Sequence, residues 1–373
     1  MTDRVVAEGG ASAHVIIVGG SLVGLSAALA LAREGATVTV LERTTPSVLD
    51  VGGGLGVDVE LVQQVTGVTS SPAVCHGVDR DTTAWQILRD WLEQSAAEVP
   101  SIEVHHGVDV AVIVSGFDAA SVSSPDERVW RGDLVIGADG VHSTVRRFVD
   151  PDHPSATYAG FVLWRAMVPE ELLTDKTKLP GSTEPSREYY VDRYRLVTYP
   201  VPGADGDTRV GHRRLNLVWY DPSREELLRA HGLLDGAVVR GSLVSTDVPE
   251  EINDELRRIA QQTWPSPWAE ALNVALEQRL IFGTPVAEYF PNRLVSERVA
   301  LAGDAAHAAS PMVGGGFTEG LYDAAQLAES FATKRDVFDL LATYEKERLA
   351  AARDHVAISQ RASRWYLDRH SAM

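Results

Sequence analysis

The chain has 373 residues, 45% of them hydrophobic and 23% charged, enough to bury a large core and to divide into two or three structural units. Its 34 basic and 52 acidic residues leave a formal charge of −18, which repels phosphate backbones and anionic lipid, so neither nucleic acid nor a membrane is an expected partner. A single cysteine, Cys75, excludes an intramolecular disulfide and a cysteine metal cluster; no metal is expected, and with no long apolar run the chain reads as cytoplasmic.

The first pattern in the chain is "HVIIVGGSLVGLSAALALAREGATVTVLER". An apolar strand over Val15 to Val18, a glycine turn, a helix over about Leu22 to Glu34 and a second strand over Thr37 to Leu41 make a βαβ unit. Gly19 permits the sharp turn and Gly24 permits close packing of helix on strand, while the helix N-terminus offers free N–H groups and partial positive charge to a pyrophosphate. Ser21 replaces the usual middle glycine, with Gly20 before it. Glu42 ends the second strand, where a carboxylate accepts from an adenosine ribose and repels a 2′-phosphate, so FAD or NAD fits better than NADP.

The second pattern is "DLVIGADGVHSTVRR", a strand ending in Ala138-Asp139-Gly140 and followed by Ser143 and Arg146. From about Pro154 to Ala275 the dinucleotide pattern gives way to alternation in "REYYVDRYRLVTYPV" and "RLNLVWYDP", read as strands of a mixed sheet joined by the turn-rich "PVPGADGDTRVG". Pro249 to Trp264 reads as an amphipathic helix with acidic residues in its first turn.

The third pattern, "VALAGDAAHAASPMVGGGFTEGLYDAAQ", returns to a buried strand, a turn holding Asp304 and a glycine-rich helix entry. A βαβ unit holds the AMP half of a dinucleotide, and this second turn suits the other half of FAD. The Asp304 carboxylate can accept from a ribityl hydroxyl, and Gly314, Gly315 and Gly316 let backbone approach the isoalloxazine. A helix over about Phe317 to Phe331 then aims its N-terminus at the flavin edge that gains negative charge on reduction. From about Val337 the chain reads as helix, with Leu340, Tyr344, Arg348, Ala351 and Val356 at helical spacing, serving as a brace or a dimer face.

In order, Gly19-Gly20-Ser21-x-x-Gly24, Asp139-Gly140 with Ser143 and Arg146, and Gly303-Asp304-Ala305-Ala306-His307 with Pro311 resemble the three fingerprints of the single-component FAD-dependent aromatic hydroxylases, the para-hydroxybenzoate hydroxylase class. "GFVLWRAMV", "YPVPG" and "RRLNLVWY" are similar to the branch that includes 2,6-dihydroxypyridine 3-hydroxylase. The resemblance implies an α/β fold in which a Rossmann-like FAD-binding domain (1–153 and 276–336) is interleaved with a mixed-sheet α+β substrate domain (154–275), followed by a helical segment (337–373). It implies cofactor contacts from Leu22, Val23, Arg43, Val110, Phe317 and Thr318 as well. NADH or NADPH would reduce the flavin, O2 would be the co-substrate, and a flavin C4a-hydroperoxide would hydroxylate a phenolic or N-heteroaromatic ring in a monomer or homodimer. Two departures from the pattern are Val313 and Thr318, where many members carry glycine and asparagine, and a third is Gly52-Gly53-Gly54 in place of expected arginines.

For catalysis, the likeness assigns the Pro311 carbonyl a place near the reacting centre. His212, Tyr199, Tyr189 and Tyr190 are candidates to assist deprotonation of a phenolic substrate. His307, beside Asp304, is expected to be structural or flavin-adjacent. Two alternatives stay open from sequence: a flavoenzyme of the same fold doing Baeyer–Villiger oxygenation, epoxidation or dehydrogenation, and a non-catalytic flavin or ligand sensor.

Overall fold

A computed structural model describes residues 13–45, 52–77, 80–174, 187–222, 224–334 and 336–371. Its first sheet has six strands, in the order Val295–Ser296, Val299–Leu301, Leu134–Gly137, His14–Val18, Thr37–Glu42 and Ile102–His106. All neighbours run parallel except the first pair. The inner strands are buried along nearly their whole length, which is why they read as unbroken apolar runs and not as alternation.

Four adjacent parallel strands, distant in sequence, therefore finish at one edge. Val299–Leu301 leads to Asp304, Leu134–Gly137 to Asp139, and His14–Val18 to Gly19, while Thr37–Glu42 ends on Glu42. That edge is where open α/β sheets bind ligands.

The second sheet has seven strands built around Thr157–Pro169, which pairs with Arg214–Asp221 on one side and Phe282–Glu288 on the other. Every pairing described in it is antiparallel, which corrects the expected mixed sheet. The reason is connectivity: short hairpins such as Asp192-Arg193 join neighbouring strands, and parallel pairing needs a long crossover. The strand Phe282–Glu288 also carries this unit past the boundary expected at 275.

Three apolar clusters result. One lies between the first sheet and its helices, another between the second sheet and the helices Glu250–Thr263 and Trp268–Glu277, and a smaller third joins Phe161, Leu163, Val218, Tyr220 and Val286 of the second sheet to Tyr366. The predicted C-terminal helix is a single element, Val337–Ser371, of 35 residues. It braces both units. Tyr344 Oη donates to Leu301 O at 2.7 Å in the first, and Ser359 and Ser363 Oγ donate to the buried Glu288 carboxylate at 2.5 and 2.8 Å in the second. Among the described residues no helix is long and apolar enough to cross a membrane, and no acidic, histidine or cysteine cluster could hold a metal. Cys75 is buried, and that burial pushes its thiol up to about 11.

Candidate flavin and substrate site

At the first turn, Gly19 has φ +107°, and a Cβ there would lie 2.3 Å from Ala138 O on the neighbouring strand's turn. A Cβ on Gly24 would lie 1.9 Å from Gly19 O. These two glycines bring the helix Leu22–Arg33 hard against the turn, so its N-terminus opens at the sheet edge. Ser21 is the N-cap, and its side chain makes no capping bond, leaving first-turn N–H groups for a ligand. Glu42 accepts from Gly20 N and Thr44 N, both at 2.7 Å, which fixes the carboxylate at the end of its strand.

A cavity of about 510 Å³ follows this edge. Gly19, Gly20, Ser21, Leu22 and Val23 line one side, with Glu42, Arg43, Val110 and Asp139 next to them. Asp304, Gly316 and Phe317 close its far end. Glu42 and Asp304 thus face the same space. Gly24 and Gly303, expected among the cofactor contacts, do not line it. Gly24 acts by close packing, and Gly303, at φ +61°, would place a Cβ 2.9 Å from Val23 Cγ2.

Asp139 caps the helix Val145–Val149, accepting from Ser143 Oγ at 2.5 Å, Thr144 N at 2.7 Å and Val145 N at 3.2 Å. The fully buried guanidinium of Arg146 donates to the carbonyls of Val141, Asp304 and Ala305 at 2.7 to 2.8 Å and lies 4.2 Å over the Tyr289 ring, tying the second motif to the third. Asp304 differs from both. Its carboxylate makes no hydrogen bond among the described residues, its accessible surface faces the cavity, and desolvation by the walls raises its pKa above the usual range.

His307 is fully buried behind this loop, with Nε2 2.6 Å from Asp323 Oδ2, while Asp323 Oδ1 accepts from Arg348 Nε at 2.8 Å. Burial works against its positive charge, but the field and hydrogen bond of Asp323 outweigh that, and its pKa is raised. His307 lines neither cavity and supports the Asp304 turn, as expected.

A second cavity, also about 510 Å³, continues from Asp304, Gly316 and Phe317 to the second sheet. The glycine loop forms one wall: Pro311 begins a short turn, Gly314 and Gly315 have φ +63° and +78°, and the helix Gly316–Thr333 starts there with Thr318 facing the cavity. Opposite stand Tyr199 and Tyr220 from adjacent strands, with Arg165 from Thr157–Pro169 and Arg195 beside Tyr199's strand neighbours. The roof is the two-stranded antiparallel sheet of Gly54–Val57 and Asp81–Ala84, held down by Gly54 N to Asn216 Oδ1 at 2.8 Å and Thr82 Oγ1 to Pro200 O at 2.7 Å. Burial pushes the Tyr199 hydroxyl up to about 12 and raises Tyr220 as well, so both are protonated donors at neutral pH.

His212 is not brought to the site. It sits exposed in the turn before Arg214–Asp221, while its neighbour Arg213 points inward and donates to the buried Glu170 carboxylate at 2.7 Å. Tyr189 packs on Trp268, and Tyr190 lies on the surface near Trp365; neither lines a cavity. Sequence reasoning passed over Arg80, Arg165, Arg195 and Tyr220, and also His355, whose Nε2 is buried without a partner on the cavity wall. The available signal was a charge inside an apolar strand, as in "FVLWRAMV".

An "FAD binding domain-like" family model matches residues 158–279, and an "FAD binding domain" model matches residues 245–359. A 2,6-dihydroxypyridine 3-monooxygenase of Paenarthrobacter nicotinovorans is 28% identical over 368 residues, covering 90% of this chain and 87% of the relative. The chain resembles the FAD-dependent aromatic hydroxylases. Among solved members of this family, the 2,6-dihydroxypyridine-3-hydroxylase of Arthrobacter nicotinovorans superposes with a TM-score of 0.79 at 23% identity, covering 95% of this chain and 93% of its own. Klebsiella pneumoniae HpxO, solved with FAD and uric acid, gives 0.73 at 21% identity, covering 99% and 95%. The family's cofactor suits the residues present: an open helix N-terminus at Ser21, a ribose acceptor at Glu42 and an unengaged carboxylate at Asp304 face one cavity of this chain. It is an FAD-dependent monooxygenase.

Proposed function

We propose that the chain hydroxylates a small phenolic or N-heteroaromatic molecule at the second cavity, with FAD held along the first and NADH or NADPH as the reductant. The observation behind this reading is the continuity of the two cavities through Asp304, Gly316 and Phe317, which leads from the nucleotide turn to a tyrosine- and arginine-lined wall. Bound FAD supplies the oxygen-activating chemistry, which is the cofactor's own.

The protein's tasks are to hold, orient and seal. N–H groups of the first helical turn at Ser21 would hold the pyrophosphate, Glu42 the adenosine ribose, and Asp304 the ribityl chain. Gly314 to Gly316 bring backbone to the ring system, and the N-terminus of Gly316–Thr333 favours negative charge developing there. Pro311 stands on the same wall as substrate. Tyr199 and Tyr220 donate hydrogen bonds to a ring substituent and do not act as bases, since burial keeps both protonated. The two-stranded roof and the glycine loop exclude water from the space between. The reductant and the single buried cysteine suit the cytoplasm.

The test is direct. The purified protein should be yellow, and phenols or hydroxypyridines should accelerate its NAD(P)H oxidation with a product heavier by one oxygen atom. A colourless protein that takes up no added FAD would overturn the reading. NAD(P)H oxidation yielding only peroxide across the panel would remove the hydroxylase assignment while leaving the flavoprotein.

A further inference from the structure

Two histidines stand at the glycine loop, and they differ in their partners. His307 is held by Asp323, whereas neither ring nitrogen of His355 makes a hydrogen bond among the described residues, and its Nε2 is buried. The two rings lie edge to face with centres 6.0 Å apart. A Cβ on Gly315 would fall 3.8 Å from His355 Cε1, so the imidazole packs beside the residue that caps the helix Gly316–Thr333. It lines the second cavity together with Pro311, Gly314, Gly315, Gly316 and Phe317.

The long helix gives this ring little travel. Arg348 donates to Asp323 Oδ1 at 2.8 Å and to Glu319 Oε2 at 2.7 Å, and Ser359 Oγ accepts from Ser310 N at 2.7 Å. His355 thus stands between one position tied to the helix Gly316–Thr333 and another tied to the loop that leads into it. The charged groups around it come from every element packed there. Asp304 and His307 lie on the turn, Glu319 and Asp323 on the facing helix, and Arg348 on its own helix. Arg80 precedes the roof strand, with Nη1 3.4 Å from where a Cβ on Gly314 would fall. Farther along the cavity are Arg165, Arg195 with Glu188, and the exposed His76, which is bonded to Asp81. Burial first, and next the positive charge of His307, hold the His355 pKa below its ordinary 6.5, against the pull of Glu319, Asp304 and Asp323. The ring is therefore uncharged at neutral pH, and a negative charge arriving in the cavity would raise its proton affinity.

In the arrangement proposed above, the flavin ring meets this loop, and the edge that gains negative charge on reduction faces the start of Gly316–Thr333. Arginines cannot respond to that event, because they are charged in both redox states. An uncharged imidazole beside the helix N-terminus can. We propose that His355 takes up a proton when the flavin is reduced and releases it on reoxidation, so that a positive charge stands beside the ring only while the ring is negative. The NAD(P)H hydride carries two electrons and one proton to the flavin, and the further proton, on His355, comes from solvent. His307 cannot serve the same end, since Asp323 holds it protonated in both states. This rests on the flavin placement of the preceding subsection.

The experiment is the midpoint potential of the FAD-loaded protein, measured by dye equilibration from about pH 5.5 to about pH 8.5. The potential should rise as pH falls. One proton per two electrons is expected at the alkaline end, and two across a window bounded below by the oxidised-state pKa of His355, under 6.5, and above by its higher value beside the reduced ring. In His355→Gln the second proton should be missing, and the preference for reduced over oxidised FAD within that window should fall about tenfold. His355→Lys, charged throughout this range, should restore the preference without the second proton. A single proton per two electrons across the whole range of the parent overturns the proposal, whatever the variants do. A second proton that persists in His355→Gln belongs to another group, the flavin ring included, and overturns it too. NMR of the histidine-labelled parent gives a reading that needs no variant: the His355 pKa must be higher in the reduced protein than in the oxidised one, and equal values refute the uptake. A protein that takes up no FAD would remove the flavoprotein reading itself.

Discussion

The two ends of the cleft are built in different ways. At the nucleotide end, charge is committed to backbone: Glu42 accepts two N–H groups, Asp139 caps a helix, and Arg146 is spent on four carbonyls. What remains for the cofactor there is mostly main chain, shaped by glycines that tolerate no side chain. At the substrate end the walls are side chains projecting from an antiparallel sheet, and two of their arginines keep donors unspent. A backbone-built end grips one invariant ligand, whereas a side-chain end can be retuned residue by residue without disturbing the grip.

The sharpest way to break this contrast is at Gly24. Gly24→Val forces a side chain into Gly19 O, where a Cβ alone would sit at 1.9 Å, so the helix must move off the turn. We expect protein purified without FAD and a loss of several kcal/mol of stability, on the order of overpacking costs at their upper end. FAD content and thermal melting would check it; a stable yellow protein would mean that close helix approach is not what the turn supplies.

A smaller effect is expected from Asp304→Ala, which removes an acceptor without altering the protein's own hydrogen bonds. Dialysis should register FAD affinity weaker by about tenfold to a hundredfold, in line with a hydrogen bond to a charged group. The melting temperature of the apoprotein should fall little. Smaller again, Tyr199→Phe should reduce affinity for ring ligands by about tenfold or less and leave FAD affinity alone. Because Tyr199 titrates near 12, the neutral-range pH profile of turnover should be the same in this variant, and a shifted limb would contradict its role as a permanent donor.

The least effect concerns the turn that both cavities share. His307 has a folded pKa above its ordinary 6.5, so its pairing with Asp323 contributes stability that is fully present below about 6.5 and is lost as pH rises through the folded value. Denaturant midpoints should therefore carry a downward component above that pH, and His307→Gln should flatten it. An unchanged slope would mean that the pair does not titrate with folding.

The sequence disclosed one end far better than the other for the same reason that they differ. Sharp turns at Gly19, Gly303 and Gly314 admit few residue types, so geometry leaves a mark in the letters. Strand ends carrying Glu42, Asp139 and Asp304 could be recognised from local patterns, and the parallel sheet brought them to one edge. The substrate wall has no such local mark. Arg165, Tyr199 and Tyr220 meet only because strands pair at a particular register, and the roof adds Arg80 from just before a strand far back in the chain. His212 was chosen by type and proximity to a strand, but it falls in the exposed turn that precedes the strand. Gly53 and Gly54, which stand in place of expected arginines, pack against groups more than a hundred residues away in the chain.

The helix Val337–Ser371 sets one dimension of the whole molecule. Tyr344 is pinned to the first unit, and the Tyr366 hydroxyl is pinned to the second through Tyr220 O at 3.0 Å. Those 22 steps at 1.5 Å each make an unbroken rod of roughly 33 Å between the anchors. A rod neither stretches nor shortens at low cost, so the gap between the two halves is gauged by a part that touches neither the nucleotide turn nor the ring-binding tyrosines' hydroxyls. Inserting or deleting a full turn of this helix would reset the width of the cleft, to whose lining the helix itself contributes His355.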